Sequence, residues 1–387
     1  QRSRPSASPA VPSTSPQMLL PPRAPVAAVA TSAASPVLPL LAARPAARRG
    51  LGCGSHGASA AAAAAAASVA GAAGRFAVGR RSGTLRRPLA LRPQPPPGRR
   101  LAAVGGLAEP PSETAAVLRV AEAAARAAGR LMAAKVGAEV VQVKDYAADL
   151  LTAVDTECEE VIRKTVFEAF ADHAFLGEES VGSREAMDAL IAGAGWLWVV
   201  DPIDGTTNFV SGQPMSAVSI GVAFNGTLYA GVIYDPFRDE LFSASLGAGA
   251  SLNGAPISIS AARVPTLANA VVASGAPPNP RSSAPCFRAM SLLAPPCSRS
   301  VRILGTAAIS LAWVACGRLD AWFEPDLSPW DSAAGALLVR EAGGRVTDCE
   351  GQEYVLGTRP VCSSNGKIHD ELLGVLAEAG ATQLDAA

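Results

Sequence analysis

Apolar residues recur at helical spacing at the start of the part of the chain that we expect to be ordered, from about Pro110 onward. Residues 112–137 read SETAAVLRVAEAAARAAGRLMAAKVG, and this stretch predicts a helix. Ser112 can cap its first turn, which carries acidic residues, and Gly137 can end it. The same periodicity predicts a second helix over Thr156–Ala171.

The hydrophobic period changes from helical to alternating at Trp196. Four β-rich runs follow, WLWVVD, AVSIGVAF, TLYAGVIYD and ELFSAS. Turn signals such as Asn225-Gly226 separate them, and Asn253-Gly254 marks another turn. Beyond Ala268, the strand-like runs AVVAS, VRIL, DAWFE, RVTD and PVCSS alternate with helical segments. The predicted helices are Cys286–Leu293, Thr306–Cys316, Ser332–Ala342 and one from His369. Alternation at this density favours an α/β fold of layered sheets and helices.

Charge divides the chain near residue 108. Residues 1–108 contain 14 Arg and no Lys, Asp or Glu, whereas residues 109–387 contain all 33 acidic residues. An acid-free leader rich in Arg, Ser, Ala and Pro is typical of an organellar transit peptide. We expect residues 1–108 to be a disordered transit peptide and linker, and residues 109–387 to be one catalytic domain.

The leader composition favours the chloroplast stroma, with the mitochondrion as the alternative location. A disordered basic tail that binds nucleic acid or anionic lipid is the other interpretation of this segment. Because the arginines are scattered rather than clustered, we expect targeting and no nucleic-acid partner. Since the chain begins with Gln1, we also expect its true start to lie further upstream.

The remaining composition argues against a disulfide framework, a zinc site, histidine chemistry and a membrane span. The seven cysteines form no CxxC pair, which argues against a disulfide framework or a zinc site. The three histidines have no partner at metal-ligand spacing, which argues against histidine chemistry. The chain has no run of about 20 strongly apolar residues, so we expect a soluble protein without a membrane partner.

Carboxylates recur at the predicted ends of elements. They lie in FLGEES, DPIDGTT, SPWDSAAG and LLTAVDTE, and the residues are Glu178, Glu179, Asp201, Asp204, Asp331 and Asp155. Oxygen ligands without His or Cys select magnesium, manganese or calcium. Carboxylates from separate segments can bridge two ions about 3.5–4 Å apart, which is the arrangement for in-line phosphoryl transfer.

Two glycine-containing turns offer backbone N–H groups near these carboxylates. Gly205-Thr206-Thr207 follows the second aspartate directly, and Gly305-Thr306 precedes a predicted helix. Such N–H groups can hold an anion. Since two or three divalent cations make an acidic site positive overall, the site can accept a phosphate group.

Each residue also has a structural interpretation when it is considered alone. The glutamates of GEES can be solvated turn carboxylates. Asp331 can cap the helix that begins at Ser332, and Asp155 can cap the one that begins at Thr156. Lys144 can be a surface lysine, and the acid at the end of DAWFE, Glu324, can be an exposed strand-end residue.

The longer sequence motifs favour the functional interpretation of these residues over the structural one. WVVDPIDGTTNFVSG together with PWDSAAGALLVREAGG resembles the paired signatures of the inositol monophosphatase family of lithium-sensitive, magnesium-dependent phosphatases. GEES and DLLTAVDTECE match the upstream segments of that family. The resemblance covers about residues 112–380. It implies a five-layered α-β-α-β-α sandwich, two to three Mg²⁺ ions, a small phosphate monoester as substrate and a homodimer.

The resemblance also implies a set of metal ligands. Glu178, Asp201 and the carbonyl of Ile203 would hold a first magnesium. Asp201, Asp204 and Asp331 would hold a second one, and a third would lie near Glu178 through waters.

The implied catalytic residues are Glu178, Asp204 and Thr206, with Thr206 and Glu178 orienting and deprotonating the attacking water. The amides of Gly205 and Thr206 would hold the phosphate. The implied substrate-binding residues are Gly205, Thr206, Thr207, Gly305, Thr306, Ala307, Glu324 and Asp331. The implied supporting residues are Asp155, Glu179 and Lys144.

The implied reaction is hydrolysis of myo-inositol 1-phosphate by direct attack of water, within inositol metabolism and phosphatidylinositol phosphate biosynthesis, with inhibition by lithium. Other substrates stay open: L-galactose 1-phosphate, histidinol phosphate and fructose bisphosphate. A non-catalytic regulator on the same fold is a further alternative. The string DGTTNF favours sugar and inositol phosphates, whereas Ser211 and the Pro-rich insertion 277–285 depart from common members of the family.

Overall fold

The structure is a computed structural model that describes residues 112–144, 150–259 and 264–382. All of these residues fall within one compact unit of the chain. The predicted transit peptide and linker, residues 1–108, lie outside the described residues. Among the described helices, none combines the length and the apolar character that crossing a bilayer requires.

The helices within the described residues alternate with strands along the chain. They are α1 (Thr114–Ala134), α2 (Ala153–Ala169), α3 (Arg184–Ile191), α4 (Thr206–Val210), α5 (Pro280–Leu293), α6 (Ala307–Ala315), α7 (Pro329–Glu341) and α8 (His369–Ala379). A short 3₁₀ turn spans Leu267–Asn269.

The strands form three sheets. They are β1 (Val140–Val143), β2 (Leu150–Thr152), β3 (Ala174–Gly177), β4 (Trp196–Asp204), β5 (Ala217–Phe224), β6 (Thr227–Asp235), β7 (Glu240–Ser245), β8 (Gly249–Leu252), β9 (Ala255–Ile257), β10 (Val271–Ser274), β11 (Ser300–Ile303), β12 (Ala321–Glu324), β13 (Arg345–Thr347) and β14 (Val361–Ser364). The large sheet has the order β3-β4-β5-β6-β7-β8-β9, the second has β11-β10-β12-β14-β13, and β1 pairs with β2. The large sheet is antiparallel except at β3–β4.

Side-chain alternation along the strands divides the core into three apolar layers. On β5, Val218, Ile220 and Val222 pack with α1 and α2, whereas the alternate residues face α6 and α7. On β12, Trp322 packs toward α6 and α7, and its neighbour Phe323 packs toward α5 and α8. The order of layers is therefore α1/α2, large sheet, α6/α7, second sheet, α5/α8. The prediction of a five-layered α-β-α-β-α sandwich is confirmed.

Small residues let α7 lie close to the large sheet. A Cβ at Gly221 would come within 2.6 Å of the Ala333 side chain, and one at Gly231 would come within 2.7 Å of the Ala334 carbonyl oxygen. Against α6, a Cβ at Gly335 would meet Leu311 at 2.5 Å. Larger side chains here would push α7 outward. This close packing fixes the N-terminus of α7, where Asp331 lies.

Most predicted elements are present, but three predicted helix starts are wrong. Helix α2 begins at Ala153 rather than Thr156, because Thr152 is its N-cap and Asp155 is the third residue of the helix. Helix α7 begins at Pro329 rather than Ser332, and Ser328 is its N-cap. Asp331 is therefore also the third residue of its helix rather than the N-cap. Helix α5 begins at Pro280, because proline is favoured in a first helical turn. Most of the insertion 277–285 is therefore helical.

Candidate active site

The end of β4 carries the first two carboxylates. Asp201 and Asp204 pair with Ser219 and Ala217 of β5, and the register between the two strands shifts between these pairs. This bulge accommodates Pro202 and allows both acidic side chains to reach the same cluster. The backbone N–H of Ile203 donates to Asp201 Oδ1 at 3.0 Å, which holds this carboxylate at the bend.

Asp331 completes a cluster of three carboxylates. Its Oδ2 accepts a hydrogen bond from the backbone N–H of Ser328 at 2.6 Å, as expected for the third residue of a capped helix. One oxygen each from Asp201, Asp204 and Asp331 lie within 4.8 Å of one another. The structure therefore brings together residues that are 130 positions apart in the sequence.

Burial and mutual repulsion perturb all three carboxyl groups. Burial raises the pKa of Asp201 well above its usual range, and the neighbouring carboxylates raise it further. The same two causes, in the same order, raise the pKa of Asp331. Burial raises the pKa of Asp204 to about 6, although hydrogen bonds to Thr306, Ala308 and Ala307 oppose the shift. Several buried oxygens that repel one another, without His or Cys nearby, fit a hard divalent cation.

Asp204 also lies at the N-terminus of α6. Its carboxylate accepts the backbone N–H groups of Ala307 at 3.2 Å and Ala308 at 2.9 Å, as well as the hydroxyl of Thr306. These groups were predicted to face an external anion or the substrate. In the structure, the anion at this helix N-terminus is a side chain of the protein. Only Gly305 of the predicted Gly305–Ala307 turn lines the cavity.

The turn after Asp204 requires glycine. Gly205 has φ +88°, and a Cβ there would lie 3.0 Å from the Gly305 carbonyl oxygen and 3.2 Å from that of Met215. Both obstacles are backbone atoms, which cannot move aside as a side chain can. Gly205 is the N-cap of α4, and Gly205, Thr206 and Thr207 all line the cavity.

Thr206 links the turn to the start of α2. Its hydroxyl lies 3.0 Å from the carbonyl oxygen of Ile203 and 3.3 Å from Asp155 Oδ1. Asp155 is buried, and its Oδ2 accepts the N–H and the hydroxyl of Thr152 at 2.9 and 2.6 Å. Burial raises the pKa of Asp155, and the hydrogen bonds from Thr152 limit the increase. Asp155 therefore both caps a helix and contacts a cavity residue.

Glu178 is not one of the three clustered carboxylates, but it lines the same cavity and its charge helps raise the pKa of Asp201 and Asp331. It directly follows β3, and its Oε1 accepts a hydrogen bond from Lys144 Nζ at 2.7 Å. Lys144 also donates to Glu179 Oε1 at 3.0 Å. Burial, followed by the charge of Glu178, raises the pKa of Glu179 to about 7. The pKa of Lys144 is lowered by burial but raised more by the two glutamates, so the net change is upward.

Glu324 is buried behind the cavity rather than exposed at a strand end. It is 9% exposed and lies outside the residues that line the cavity. A Cβ at Gly275 would overlap its carboxylate, so glycine makes room for it. Burial, followed by the charges of Asp331 and Asp204, raises the pKa of Glu324 well above its usual range.

The cluster opens into a cavity of about 1000 Å³. Besides the predicted residues, its lining includes Arg184, Asn279, Asp326 and Arg359, which sequence reasoning missed. Arg359 lies far from any recognised motif, whereas Arg184 lies five residues after Glu179 and Asn279 lies within the insertion 277–285. Asp326 lies five residues before Asp331, and that proximity was its one available signal.

A layered sandwich with an oxygen-only carboxylate cluster at the base of a cavity defines the class of layered α/β phosphatases. Within it, residues 113–381 match the sequence profile of the inositol monophosphatase family. The chain therefore belongs to the inositol monophosphatase family.

Known relatives agree with this assignment. An inositol-1-monophosphatase of Synechocystis is 38% identical over 69% of this chain and 91% of its own length. The Nus factor SuhB of Escherichia coli is 39% identical over 66% of this chain and 94% of its own length. The solved structure of an inositol monophosphatase from Anabaena superposes with a TM-score of 0.58, at 34% identity, over 69% of this chain and 97% of that one.

Proposed function

We propose that the protein is a magnesium-dependent phosphomonoesterase that hydrolyses myo-inositol 1-phosphate. The observation that carries this proposal is the convergence of Asp201, Asp204 and Asp331 at the base of a cavity beside the Gly205 turn. Burying three carboxylates costs several kcal/mol unless a cation compensates their charge. Hard oxygen donors of this kind favour Mg²⁺, and the family relationship supports the same choice.

The three aspartates, together with Glu178 and the carbonyl of Ile203, would hold two to three magnesium ions. Magnesium, when bound, lowers the pKa of water and stabilises the negative charge that develops on the leaving oxygen. Glu178 now pairs with Lys144, and because that pair is only partly buried, its carboxylate would be available as a ligand if the pair opened. Glu179 remains as the second partner of Lys144.

The protein residues around the cluster would position water and phosphate. When the Thr206 hydroxyl donates to Asp155 or to the Ile203 carbonyl, its lone pairs face away from those acceptors and can accept a hydrogen bond from water. That hydrogen bond orients the water for attack on phosphorus, with Glu178 as the proton acceptor. The first N–H groups of the Gly205–Thr207 turn would hold the phosphate oxygens.

A substrate panel tests the proposal. With the full chain and Mg²⁺, phosphate release is measured from inositol 1-phosphate, L-galactose 1-phosphate, histidinol phosphate and fructose bisphosphate at matched concentrations. We expect inositol 1-phosphate to have the highest kcat/KM. A higher value for another compound would move the substrate assignment to it, and no release from any of them would reject the phosphatase proposal. Lithium inhibition is expected alongside activity.

A regulatory role is the second candidate function. It is favoured by the relatives named Nus factor SuhB, which are about as similar to this chain as the named phosphatase. A regulator does not need its metal ligands, yet Asp201, Asp204 and Asp331 converge here. Partner binding that is unaffected by EDTA, in a chain that hydrolyses none of the panel, would support the regulator.

We further propose a homodimer in the chloroplast stroma, with the mitochondrion as the alternative. The leader composition supports organellar targeting, because residues 1–108 combine 14 Arg with no acidic residue. N-terminal sequencing of the protein from isolated organelles tests the location and the cleavage site. Light scattering of the purified protein tests the dimer.

A further inference from the structure

Three chain segments converge on the cavity wall at Asp326. The first is the loop between β12 and α7, which carries Asp326 itself. The second is the loop before β14, which carries Arg359, and the third is the start of α5 at Asn279. The loops are joined by a backbone hydrogen bond from the Leu327 N–H to the Arg359 carbonyl at 3.2 Å. Asn279, Asp326 and Arg359 all line the cavity.

Asp326 accepts three side-chain hydrogen bonds. Its Oδ1 accepts one from Arg359 Nη2, and its Oδ2 accepts the Ser282 hydroxyl at 2.6 Å and the Asn279 amide at 3.3 Å. The side chain of Asp326 is only 8% exposed. A buried carboxylate with three donors is fixed in place, and it therefore fixes the guanidinium that it binds.

Arg359 lines the cavity and has donors that Asp326 does not occupy. A guanidinium has five N–H groups in a rigid plane, and Asp326 is its only side-chain hydrogen-bond partner within the described ranges 112–144, 150–259 and 264–382. The Arg359 side chain is 35% exposed, and it lines the same cavity as the carboxylate cluster. The donors are therefore both accessible and oriented before a ligand arrives.

We propose that Arg359 is a specificity-determining residue that donates hydrogen bonds to a hydroxyl oxygen of the substrate alcohol, and that Asp326 is its positioning residue. This inference rests on the proposed phosphatase function and assigns roles in it to two residues of the cavity wall.

The charge distribution argues against a second phosphate as the ligand of Arg359. Every cationic side chain of the described cavity lining has a carboxylate partner. Lys144 pairs with Glu178, Arg184 lies 4.0 Å from Asp188, and Arg359 pairs with Asp326. A neutralised guanidinium offers directional donors with little net charge. Such donors suit an uncharged hydroxyl better than a dianion.

The first test compares two substrates in the full chain with Mg²⁺. Inositol 1-phosphate carries ring hydroxyls, whereas p-nitrophenyl phosphate has none. We expect Arg359→Ala to lower kcat/KM for inositol 1-phosphate by roughly 10- to 100-fold and to change that for p-nitrophenyl phosphate less than about twofold. Arg359→Lys should recover part of the loss. An equal loss on both substrates would indicate a structural role and overturn the proposal, as would no loss on either.

The second test uses Asp326→Asn, which keeps the shape of the side chain but removes its charge. The uncompensated guanidinium should then attract a second phosphate, so the ratio of kcat/KM for fructose bisphosphate to that for inositol 1-phosphate should rise by about fivefold. A ratio that is unchanged or lower would contradict the charge argument. This readout is insensitive to partial loss of folded protein, because both substrates are measured on one preparation.

The matched control is Arg345→Ala. Arg345 donates to Asp370 and has a side chain 39% exposed, similar to Arg359, but it does not line the cavity. Both substrate ratios should remain at their wild-type values in this variant. Wild-type hydrolysis of the two substrates separates two failures. If the wild type hydrolyses neither of them, the phosphatase proposal itself fails. If it hydrolyses both and the Arg359→Ala ratio is unchanged, the inference alone fails.

Discussion

At the residue scale, the acidic side chains of the site differ in what surrounds them. Asp204 is held by the N-terminus of α6, Asp201 by the Ile203 amide, and Asp331 by the Ser328 amide. Glu178 instead contacts a lysine. Three of these carboxylates are therefore held by backbone donors, and the fourth by a side chain.

The ion pair of Lys144 with Glu178 should compete with metal binding. Replacing Lys144 with Met removes both the competing cation and its repulsion of Mg²⁺. We expect the apparent Mg²⁺ affinity to increase by roughly fivefold, because a partly exposed pair contributes about 1 kcal/mol. Isothermal titration of Mg²⁺ measures this change.

Lys164→Met is the control for this prediction, since Lys164 is an exposed lysine 3.9 Å from Glu168 and outside the cavity lining. Its Mg²⁺ affinity should equal that of the wild type. Weaker Mg²⁺ binding in Lys144→Met would show that the lysine assists the metal site rather than competing with it.

The structure brings together three of the acidic residues that the sequence identified, but their long-range contacts could not be predicted from local patterns. Asp201 and Asp204 were identified because their motif is local and specific. The contact between Asp204 and Ala308 joins residues 104 positions apart, and no local pattern reports such a pair. Arg359 and Asn279 were missed for the same reason, since only the folded chain brings them to Asp326.

At the element scale, the N-termini of helices place the functional groups. The N-termini of α2, α4, α6 and α7 contribute Asp155, Thr206, Thr306 and Asp331 to one region. A helix N-terminus supplies free N–H groups and a positive field, so it suits a site that handles phosphate. The start of α4 is tightly packed, because a Cβ at Gly205 would lie 3.0 Å and 3.2 Å from two backbone carbonyl oxygens.

Gly205→Ala should reduce both stability and turnover. Alanine at φ +88° costs about 1–2 kcal/mol, and its Cβ would also contact the Gly305 carbonyl at 3.0 Å. Gly212→Ala is the matched control, because Gly212 has φ +71° but no atom within 4 Å of the added Cβ. Urea denaturation and phosphate release measure the two effects.

We expect Gly212→Ala to lose only the conformational part of the stability and to keep wild-type kcat/KM. Gly205→Ala should lose more stability and at least about tenfold in kcat/KM, because the phosphate-facing amides shift. Equal effects of the two substitutions would mean that the close contact at Gly205 has no functional role.

The strands and helices that the sequence predicted are mainly the long, buried ones. Strands β4 to β7 and helices α1 and α6 were predicted, because long apolar runs have a clear period. Strands β1, β2, β8 and β9 and helix α3 were not, since they are short, and β1 and α3 contain no buried residue. The start of α2 was misplaced, because the capping role of Thr152 depends on the position of Asp155 in the folded chain.

At the scale of the whole molecule, the second sheet and its outer helices contain a buried histidine far from the cavity. His369 begins α8 and is fully buried. Its ring nitrogens lie 2.8 Å from the hydroxyls of Thr347 and Ser364. Burial, helped by the charge of Arg345, lowers the pKa of His369 from 6.5 to about 4.

His369 should make the fold sensitive to acid. Below pH 6.5 the unfolded chain binds a proton that the folded chain excludes, so stability is complete above pH 6.5 and falls as the pH approaches 4. The loss attributable to His369 should reach about 3 kcal/mol near pH 4. Urea denaturation of wild type and His369→Gln across this range, at constant Mg²⁺, isolates it as a difference. Parallel pH profiles for the two proteins would refute this role for the imidazole.

The five-layered architecture could be predicted from the sequence, because the long motifs resemble those of a family with this fold. The side-chain packing between the layers could not be predicted. The approach of α7 to the large sheet depends on Gly221 and Gly231, whose spacing in two neighbouring strands becomes meaningful only once β5 and β6 pair. The leader, residues 1–108, remains a prediction from composition alone.

The central claim is that the carboxylate cluster binds the magnesium that makes this protein a phosphatase. The most direct measurement is phosphate release from myo-inositol 1-phosphate as a function of Mg²⁺ concentration, in wild type, Asp201→Asn and Asp331→Asn. Asp188→Asn serves as the control, because Asp188 lines the same cavity outside the cluster. We predict saturable release in wild type and Asp188→Asn, none with EDTA, and none in the two cluster variants although both remain folded. Wild-type rates in Asp201→Asn or Asp331→Asn, or release that is independent of Mg²⁺, would contradict the claim.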